Sequence, residues 1–119
     1  MTERSVRIRL EEMIEAIDTV EDLIVGLDFE IYEEQRGIRR GVERCIEIVS
    51  EASRHVPEDL RALRPEIPWR KVRDIGNILR HGYSSVDNAM IWNVAIASLP
   101  ELKKVLKEML AKLPPDIED

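Results

Sequence analysis

Apolar residues recur at steps of three and four along the first 27 positions, and this spacing restricts the fold more than any other feature of the sequence. The positions are Leu10, Met13, Ile14, Ile17, Val20, Ile24 and Leu27. Because an α-helix turns once every 3.6 residues, these side chains share one face and the intervening acids occupy the other. The spacing predicts a long amphipathic helix over residues 3–26.

The rest of the chain is also typical of helices joined by short connections. Further helices are predicted over 30–55, over 57–64, over 68–81, over 88–98 and over 100–113. Pro57, Pro68 and Pro100 suit first helical positions, Gly82 suits a helix end, and Asp87 suits an N-cap. Since no useful stretch alternates apolar and polar residues, the fold class is all-α: an up-and-down helical bundle with a short extra helix.

Length and composition indicate one domain over residues 1–113, followed by a disordered acidic tail over 114–119. No apolar run approaches the ~20 residues of a membrane span, and the N-terminus has no secretory apolar segment, so we expect a cytoplasmic protein without membrane contact. The single cysteine, Cys45, cannot form an internal disulfide. It belongs to the inner stripe of the second helix and is interpreted as a core residue rather than a nucleophile. That stripe comprises Val42, Cys45, Ile46, Val49 and Ala52.

Metal and cofactor signatures are missing from the sequence. There is no Cys/His cluster with zinc-ligand spacing, so no metal and no cofactor is expected. Glu47 and Glu51 share a helix face at i,i+4, which could suggest metal ligands. Without a helical Glu-x-x-His partner, a salt-bridged surface or interface is the favoured interpretation. His55, at the end of the second helix, suits the negative end of the helix dipole.

Charge is distributed unevenly along a chain whose net charge is −6. Residues 1–34 carry three Arg against eleven acids, whereas residues 53–81 carry seven Lys or Arg against four acids. A basic middle on an acidic chain can focus a polyanion onto one region, and the alternative is a solvated basic face without function.

The 68–81 helix separates into two faces. At 100° per residue, Val72, Ile75, Ile78 and Leu79 fall within an arc of about 120° that is predicted to be buried. Arg70, Arg73, Asn77, Arg80 and His81 fall within about 100° on the opposite side. Guanidinium groups match phosphate oxygens, and an imidazole can accept or deliver a proton. Together they could promote attack of a ribose 2′-hydroxyl on the adjacent phosphate without a metal. The alternative is an exposed polar face with a surface histidine.

Several short segments resemble the HepT-like HEPN family in their order and spacing. They are residues 67–70 (Ile-Pro-Trp-Arg), 76–83 (Gly-Asn-Ile-Leu-Arg-His-Gly-Tyr), Val86-Asp87, Trp92, 99–102 (Leu-Pro-Glu-Leu) and 46–52. The resemblance covers nearly the whole chain. It implies a small helical bundle that forms homodimers. It also implies a metal-independent endoribonuclease toxin, with RNA as substrate and an MNT-type nucleotidyltransferase as antitoxin.

The resemblance also assigns roles to individual residues. The family motif is an Arg, a polar residue, three further residues and a His, and the branch adds a Tyr that the antitoxin can modify with AMP. His81 matches the catalytic His, Asn77 the polar position and Tyr83 the AMP-accepting Tyr. The motif Arg falls on Gly76, which cannot hold a phosphate.

Two arginines are candidates to replace the missing motif Arg. Arg80, one turn further along, could place its guanidinium in much the same space, and Arg73 is the second candidate. Gly76 itself could allow close approach of a dimer partner or of RNA. The alternative function is a non-catalytic HEPN protein that docks a nucleotidyltransferase or a nucleotide. Trp69 and Trp92 are interpreted as core or dimer-interface anchors rather than base-stacking platforms.

Overall fold

The computed structural model describes residues 3–81 and 87–114, and within these ranges it contains helices and no strands. The all-α bundle is therefore confirmed. The helices are α1 (Glu3–Ile24), α2 (Phe29–Glu34), α3 (Arg36–Ser53), α4 (Glu58–Ala62), α5 (Trp69–His81), α6 (Asn88–Asn93), a π-helical turn (Val94–Ser98) and α7 (Leu99–Lys112). None of these helices is long and apolar enough to cross a membrane.

The core lies between α1, α3, α5 and α7, with α1 packed on α3 and α7, and α3 packed on α5. The predicted stripes of α1 and α3 supply most of it: Leu10, Met13, Ile17, Val20, Val42, Ile46, Val49 and Ala52 are all buried. Each fully buried Val, Leu, Ile or Met contributes roughly 1.5–3 kcal/mol of transfer free energy. Cys45 is buried with them, as predicted, and burial raises the pKa of its thiol while nearby Arg44 lowers it.

The connection between α1 and α2 contains a left-handed glycine and an N-cap residue. α1 ends at Ile24, two residues earlier than predicted, and Gly26 adopts φ 76°, a left-handed conformation that favours glycine. Asp28 then caps α2, because its Oδ1 accepts a hydrogen bond from the Ile31 amide at 2.9 Å.

The prediction of one continuous helix over 30–55 was wrong. The chain leaves helical geometry at Gln35 (φ −98°, ψ 87°), which ends α2 and precedes α3. No proline marks this break. α2 packs against both α3 and α6, with Tyr32 fully buried and its ring 4.9 Å from that of Trp92. The break separates α3 from a short helix whose Tyr32 ring packs against Trp92.

The prediction of separate helices over 88–98 and 100–113 was also wrong. Asp87 does cap α6, accepting from the Ala89 amide at 2.9 Å, but the backbone stays helical from there to Lys112. The two parts are joined by the π-helical turn, in which the Leu99 amide donates to the Val94 carbonyl. Pro100 has no N–H to donate and its ring crowds the preceding turn, so a widened turn accommodates it within one helical run.

Both tryptophans pack against other residues of the same chain, which agrees with the prediction that they are core or interface anchors. Trp69 is buried at the start of α5, and its Nε1 donates to the Arg64 carbonyl at 3.0 Å. Trp92 packs on Tyr32 and Phe29. Pro57 is an N-cap rather than the predicted first helical residue, and α4 ends at Ala62, before the predicted limit.

Several predictions fall on residues that the structure does not describe. Gly82, the predicted end of α5, lies outside the described residues, as do 115–119 of the predicted tail. At the start of that tail, the Pro114 carbonyl accepts a hydrogen bond from Arg7 at 2.7 Å. The domain limit at 113 stays a prediction.

Candidate functional site

The candidate site is built on α5, whose inner side rests on α3. Trp69, Gly76 and Leu79 are buried on that side, and Val72 and Ile75 are partly buried beside them. Ile78 was predicted to be buried, but 41% of it is exposed. The middle of the buried side of α5 lies closer to Gly76 than the positions of its apolar residues predict. A residue without a side chain lets two helices approach most closely.

Ile78 instead borders an apolar groove of about 600 Å³ on the outside of the protomer. The groove lies between α3, α5 and the 88–112 helical run, and Met90 lines it as another exposed apolar residue. Lys71, Asp74 and Glu101 stand among its charged lining residues.

The polar residues predicted on the opposite side of α5 do lie on its outer surface. Arg70, Asn77 and His81 are exposed, and Arg73 and Arg80 are half-buried. Arg80 folds back along the helix, and its Nη2 donates to Asn77 Oδ1 at 2.7 Å. Arg73 forms a looser contact, with Nε 3.7 Å from the Asp74 carboxylate. His81 is the last residue of α5.

Gly76 makes its close approach inside the protomer. A Cβ on Gly76 would lie 2.6 Å from Ser50 Oγ, a separation that real Cβ atoms essentially never show, and 3.0 Å from Ser50 Cβ. The hypothesis that Gly76 admits a dimer partner or RNA is therefore wrong, because α3 of the same chain already occupies that space. An arginine cannot replace this glycine unless α3 moves or Ser50 changes.

The guanidinium of Arg80 lies over the same glycine. Its Nη1 is 3.5 Å from the position that a Gly76 Cβ would take. A side chain from residue 80 therefore brings a cation to the surface where a side chain from residue 76 would begin. The observed fold-back supports Arg80 over Arg73 as the replacement for the motif Arg.

Ser50 is the residue that the sequence did not single out. Its side chain is buried, and its Oγ donates to the Arg73 carbonyl at 2.7 Å and accepts from the Gly76 amide at 3.1 Å. The available signal was indirect: a serine on the inner side of α3 and a glycine in the middle of α5 are both unusual choices for helices. Pairing them requires the helix register, which the sequence does not contain.

Several arginines of the basic segment 53–81 are bonded to other parts of the protein. The cationic surface on α5 therefore contains fewer arginines than the charge count of this segment suggests. Arg64 bonds Glu66 and Glu108, each at 2.8 Å. These carboxylates raise the pKa of the Arg64 guanidinium, and that guanidinium in turn lowers the pKa of the Glu66 carboxyl. Arg61 donates to the Val56 carbonyl at 3.1 Å, and Arg54 lies 3.7 Å from Glu51. Arg70, Arg73 and Arg80 are the arginines that remain on the outer side of α5.

The carboxylates considered as metal ligands form ion pairs. Glu47 lies 3.8 Å from Arg44, and Glu51 lies 3.7 Å from Arg54, which confirms the salt-bridged surface. Among residues 3–81 and 87–114, no group of three or more His, Cys, Asp or Glu is placed to hold a metal ion. Tyr83, the predicted site of AMP modification, lies outside the described residues.

The arrangement combines two chemical capacities at one end of α5. Guanidinium groups bind phosphate oxygens through charge-assisted hydrogen bonds, and Asn77 holds one of them in place. An exposed imidazole one residue beyond Arg80 can exchange protons with a bound ligand. Fold and site thus define a small helical protein with a cationic, histidine-bearing helix face.

Comparison with known proteins identifies the family to which this helical protein belongs. A model of the HepT-like family, described as "Ribonuclease HepT-like", matches residues 13–109. The chain therefore belongs to the HepT-like family, as the motif resemblance indicated.

Individual relatives agree with the family match. "Probable ribonuclease HepT" of Thermococcus cleftensis is 35% identical over 100 residues, covering 84% of this chain and 91% of the relative. "Putative RNase MJ1380" of Methanocaldococcus jannaschii is 31% identical over 104 residues, covering 87% and 95%. "Putative RNase TTE0752" of Caldanaerobacter subterraneus subsp. tengcongensis is 28% identical over 103 residues, covering 87% and 92%. No solved structure matches the chain.

Proposed function

We propose that this chain is a metal-independent endoribonuclease and the toxin of a HEPN/MNT toxin–antitoxin pair. The observation that carries the proposal is the fold-back of Arg80 over Gly76, with its guanidinium bonded to Asn77 beside the exposed His81. The Arg80 guanidinium thus lies close to the point where the side chain of a motif arginine would begin, which supports Arg80 as its replacement. Family membership and the names of the relatives support RNA as the substrate.

The proposed chemistry uses groups of the chain alone. Arg80 binds the non-bridging oxygens of the scissile phosphate, and Arg73 adds a second, weaker contact. An imidazole removes the proton from the ribose 2′-hydroxyl, the 2′-oxygen bonds to phosphorus, and the bond from phosphorus to the 5′-oxygen breaks. A protonated imidazole gives its proton to the departing 5′-oxygen. The products are a 2′,3′-cyclic phosphate and a free 5′-hydroxyl.

Cleavage of a labelled RNA oligonucleotide, with product termini identified by mass, tests this reaction. We expect His81→Ala to lower the rate by roughly 10²–10⁴-fold, as loss of a general acid or base does. Arg80→Ala should cost a similar order and Arg73→Ala less. Arg70→Ala is the matched control, since Arg70 is exposed on the same face but is assigned no role. The chelator EDTA should leave the cleavage rate unchanged. A substrate with 2′-deoxyribose at the cleavage site should not be cleaved. Full activity in His81→Ala, or loss of activity in EDTA, would contradict the mechanism.

A homodimer would supply both proton-transfer groups at once. Two copies related by a two-fold axis would place two polar faces of α5 around one cleft, with a His81 from each. Ile78, exposed next to Asn77, is apolar surface that such an interface would cover. Analytical ultracentrifugation should find a dimer at micromolar concentration, and Ile78→Glu should shift it toward the monomer. A monomeric wild type at that concentration would count against the shared cleft.

Control by the antitoxin is proposed to act through Tyr83. AMP added to this tyrosine, two residues beyond His81, would place a phosphate near Arg80 and Arg73 and occupy the space of an RNA phosphate. Incubation with an MNT partner and ATP should add the mass of one or more AMP units. Tyr83→Phe should abolish that gain and escape neutralisation while remaining toxic on induced expression. Continued modification of Tyr83→Phe would place the acceptor elsewhere.

A non-catalytic role remains the second candidate, and the absence of the motif Arg at Gly76 favours it. In that case the α5 face would dock a nucleotidyltransferase or a nucleotide without cutting RNA. Growth of cells expressing the wild type beside His81→Ala separates the two functions. Growth arrest by the wild type alone supports the nuclease, whereas equal effects of both proteins support docking.

A further inference from the structure

Ser50 of α3 is bonded to two backbone groups of α5, the helix that carries the candidate site, rather than to side chains of α5. Its hydroxyl donates to the Arg73 carbonyl and accepts from the Gly76 amide, two backbone groups that lie three residues apart along α5. Only 1% of Ser50 is exposed, so water does not compete for these bonds. A hydroxyl that is donor and acceptor to two points on one helix restricts both rotation and sliding of that helix.

This restriction matters for the α5 face because the functional groups stand away from the helix axis. A turn of α5 by about 10° would move a group ~6 Å from the axis by about 1 Å. A misplacement of about 1 Å can lower a catalytic rate by roughly 10²-fold. Arg73, Asn77, Arg80 and His81 all move with α5, so a single anchor on its inner side holds the whole set.

Ser50 and Gly76 also determine the path of Arg80. The Ser50 side chain fills the space against Gly76, at 2.6 Å from a would-be Cβ, and the Arg80 guanidinium lies 3.5 Å from that same point. The guanidinium therefore rests on bare backbone that a serine on α3 supports from the other side. A larger residue at either position would displace the surface on which Arg80 lies.

We propose that Ser50 is a positioning residue for the α5 site, acting with Gly76 to fix α5 on α3 and to seat the folded-back Arg80. The proposal rests on the proposed ribonuclease activity for its kinetic consequence only. Ser50 touches no substrate in this arrangement. Its effect reaches the phosphate through the backbone at Arg73 and Gly76 and through the side chain of Arg80.

The test compares Ser50→Ala with Ser53→Ala in the full chain. Ser53 is a matched control, since it is buried one turn away on α3 and its Oγ donates to the Ser50 carbonyl at 2.6 Å without reaching α5. We expect both variants to fold, with Ser50→Ala melting somewhat lower because it loses two buried hydrogen bonds and Ser53→Ala loses one. Ser50→Ala should lower kcat on RNA at least tenfold with KM changed less than about threefold, whereas Ser53→Ala should stay within about threefold in both.

A spectroscopic measurement keeps the proposal separate from the nuclease assignment. In ¹⁵N-labelled protein, the Arg80 Nε–Hε resonance and the Gly76 amide resonance should both shift in Ser50→Ala, and neither should shift comparably in Ser53→Ala. If the wild type cuts no RNA, the nuclease proposal fails, while these resonances still decide the positioning role. Unchanged Arg80 and Gly76 resonances, equal kinetics in the two variants, or an unfolded Ser50→Ala would overturn the proposal.

Discussion

Two buried hydroxyl groups distinguish the contact between α3 and α5 from the contact between α2 and α6. Ser50 Oγ makes two hydrogen bonds to the backbone of α5, whereas Tyr32 Oη is buried without a hydrogen-bond partner among the described residues. Ser50 brings little apolar surface into the core, so its burial is explained by its bonds. Tyr32 brings a large ring that packs on Phe29 and Trp92, so its burial is explained by the ring.

The comparison distinguishes two kinds of buried polar group. One kind fixes the position of one helix on another, and the other is buried only because the apolar part of its side chain packs in the core. A buried hydroxyl with both bonds made fixes the relation of two elements, and a buried hydroxyl without bonds costs free energy. The first kind lies under the candidate site and the second lies away from it. Substitutions that remove these hydroxyl groups or their bonds should therefore change the free energy of unfolding in opposite directions.

The largest effect on stability is expected at Gly76. Gly76→Ala places a methyl group 2.6 Å from Ser50 Oγ, so Ser50 must move and lose its two hydrogen bonds. We expect the free energy of unfolding to fall by about 2–4 kcal/mol, from overpacking and unpaired polar groups combined. Chemical denaturation of the wild type and the variant measures this difference.

Two glycines of α3 provide matched controls for Gly76→Ala in α5. A Cβ on Gly41 would meet only the flexible end of Leu23, at 3.0 Å, and a Cβ on Gly37 would meet nothing within 4 Å. Gly41→Ala should change stability little, and Gly37→Ala should raise it by roughly 0.5–1 kcal/mol through helix propensity. A Gly76→Ala variant as stable as Gly41→Ala would show that the α3–α5 contact is not tight.

A smaller effect of opposite sign is expected at Tyr32. Tyr32→Phe keeps the ring and removes the hydroxyl that lacks a partner, so the free energy of unfolding at neutral pH should rise by about 1 kcal/mol. A loss of 1 kcal/mol or more would mean that the hydroxyl is bonded after all, and the contrast with Ser50 would fail.

The pH dependence of the Tyr32 effect follows from its pKa. Burial raises the pKa of Tyr32 to about 12 from 10.0, with Glu43 adding to the rise and Arg39 opposing it. Above pH 10 the unfolded chain releases this proton while the folded chain keeps it, so stability falls as pH increases toward 12. At full extent the loss is about 3 kcal/mol. Tyr32→Phe lacks this loss, so its advantage over the wild type in denaturation experiments should widen between pH 10 and 12.

Sequence periodicity predicted the two long helices because their apolar stripes are regular and most of their residues are buried in the core. Leu10 to Val20 in α1 and Val42 to Ala52 in α3 needed no knowledge of neighbours. The break at Gln35 had no comparable signal. Pro100 did signal a disturbance of the helix, but the sequence did not show that a π-helical turn would keep the helical run continuous.

The candidate site also contains some features that the sequence predicted and others that it could not. The shared face of Arg73, Asn77, Arg80 and His81 follows from the spacing of residues along one helix, and it was predictable. Gly76 could be recognised only as a departure from the family motif, because its contact with Ser50 depends on how α3 and α5 are aligned. The same alignment left Ile78 exposed despite its apolar side chain.

The smallest effect is expected where helices are joined by charges at the surface. Lys103 of α7 reaches Asp18 at 2.5 Å and Glu21 at 2.6 Å on α1, and the hydrogen bond to Asp18, followed by that to Glu21, raises the pKa of its ammonium group. The partner carboxylates are half exposed, so solvent and salt screen the attraction. Lys103→Met keeps the aliphatic length of the side chain and removes only the charge.

We therefore expect Lys103→Met to lower the melting temperature less than Gly76→Ala does, and to lose even this small effect in 1 M salt, where the Debye length is about 3 Å. Lys104→Met, on the exposed side of α7, is the control for the general effect of removing one positive charge from an acidic protein. If Lys103→Met lowers the melting temperature as much as Gly76→Ala does, and salt does not change this, the packing of α1 on α7 depends on the Lys103 ion pairs as the packing of α3 on α5 depends on Ser50. The distinction between neutral buried bonds and surface ion pairs would then not hold in this fold.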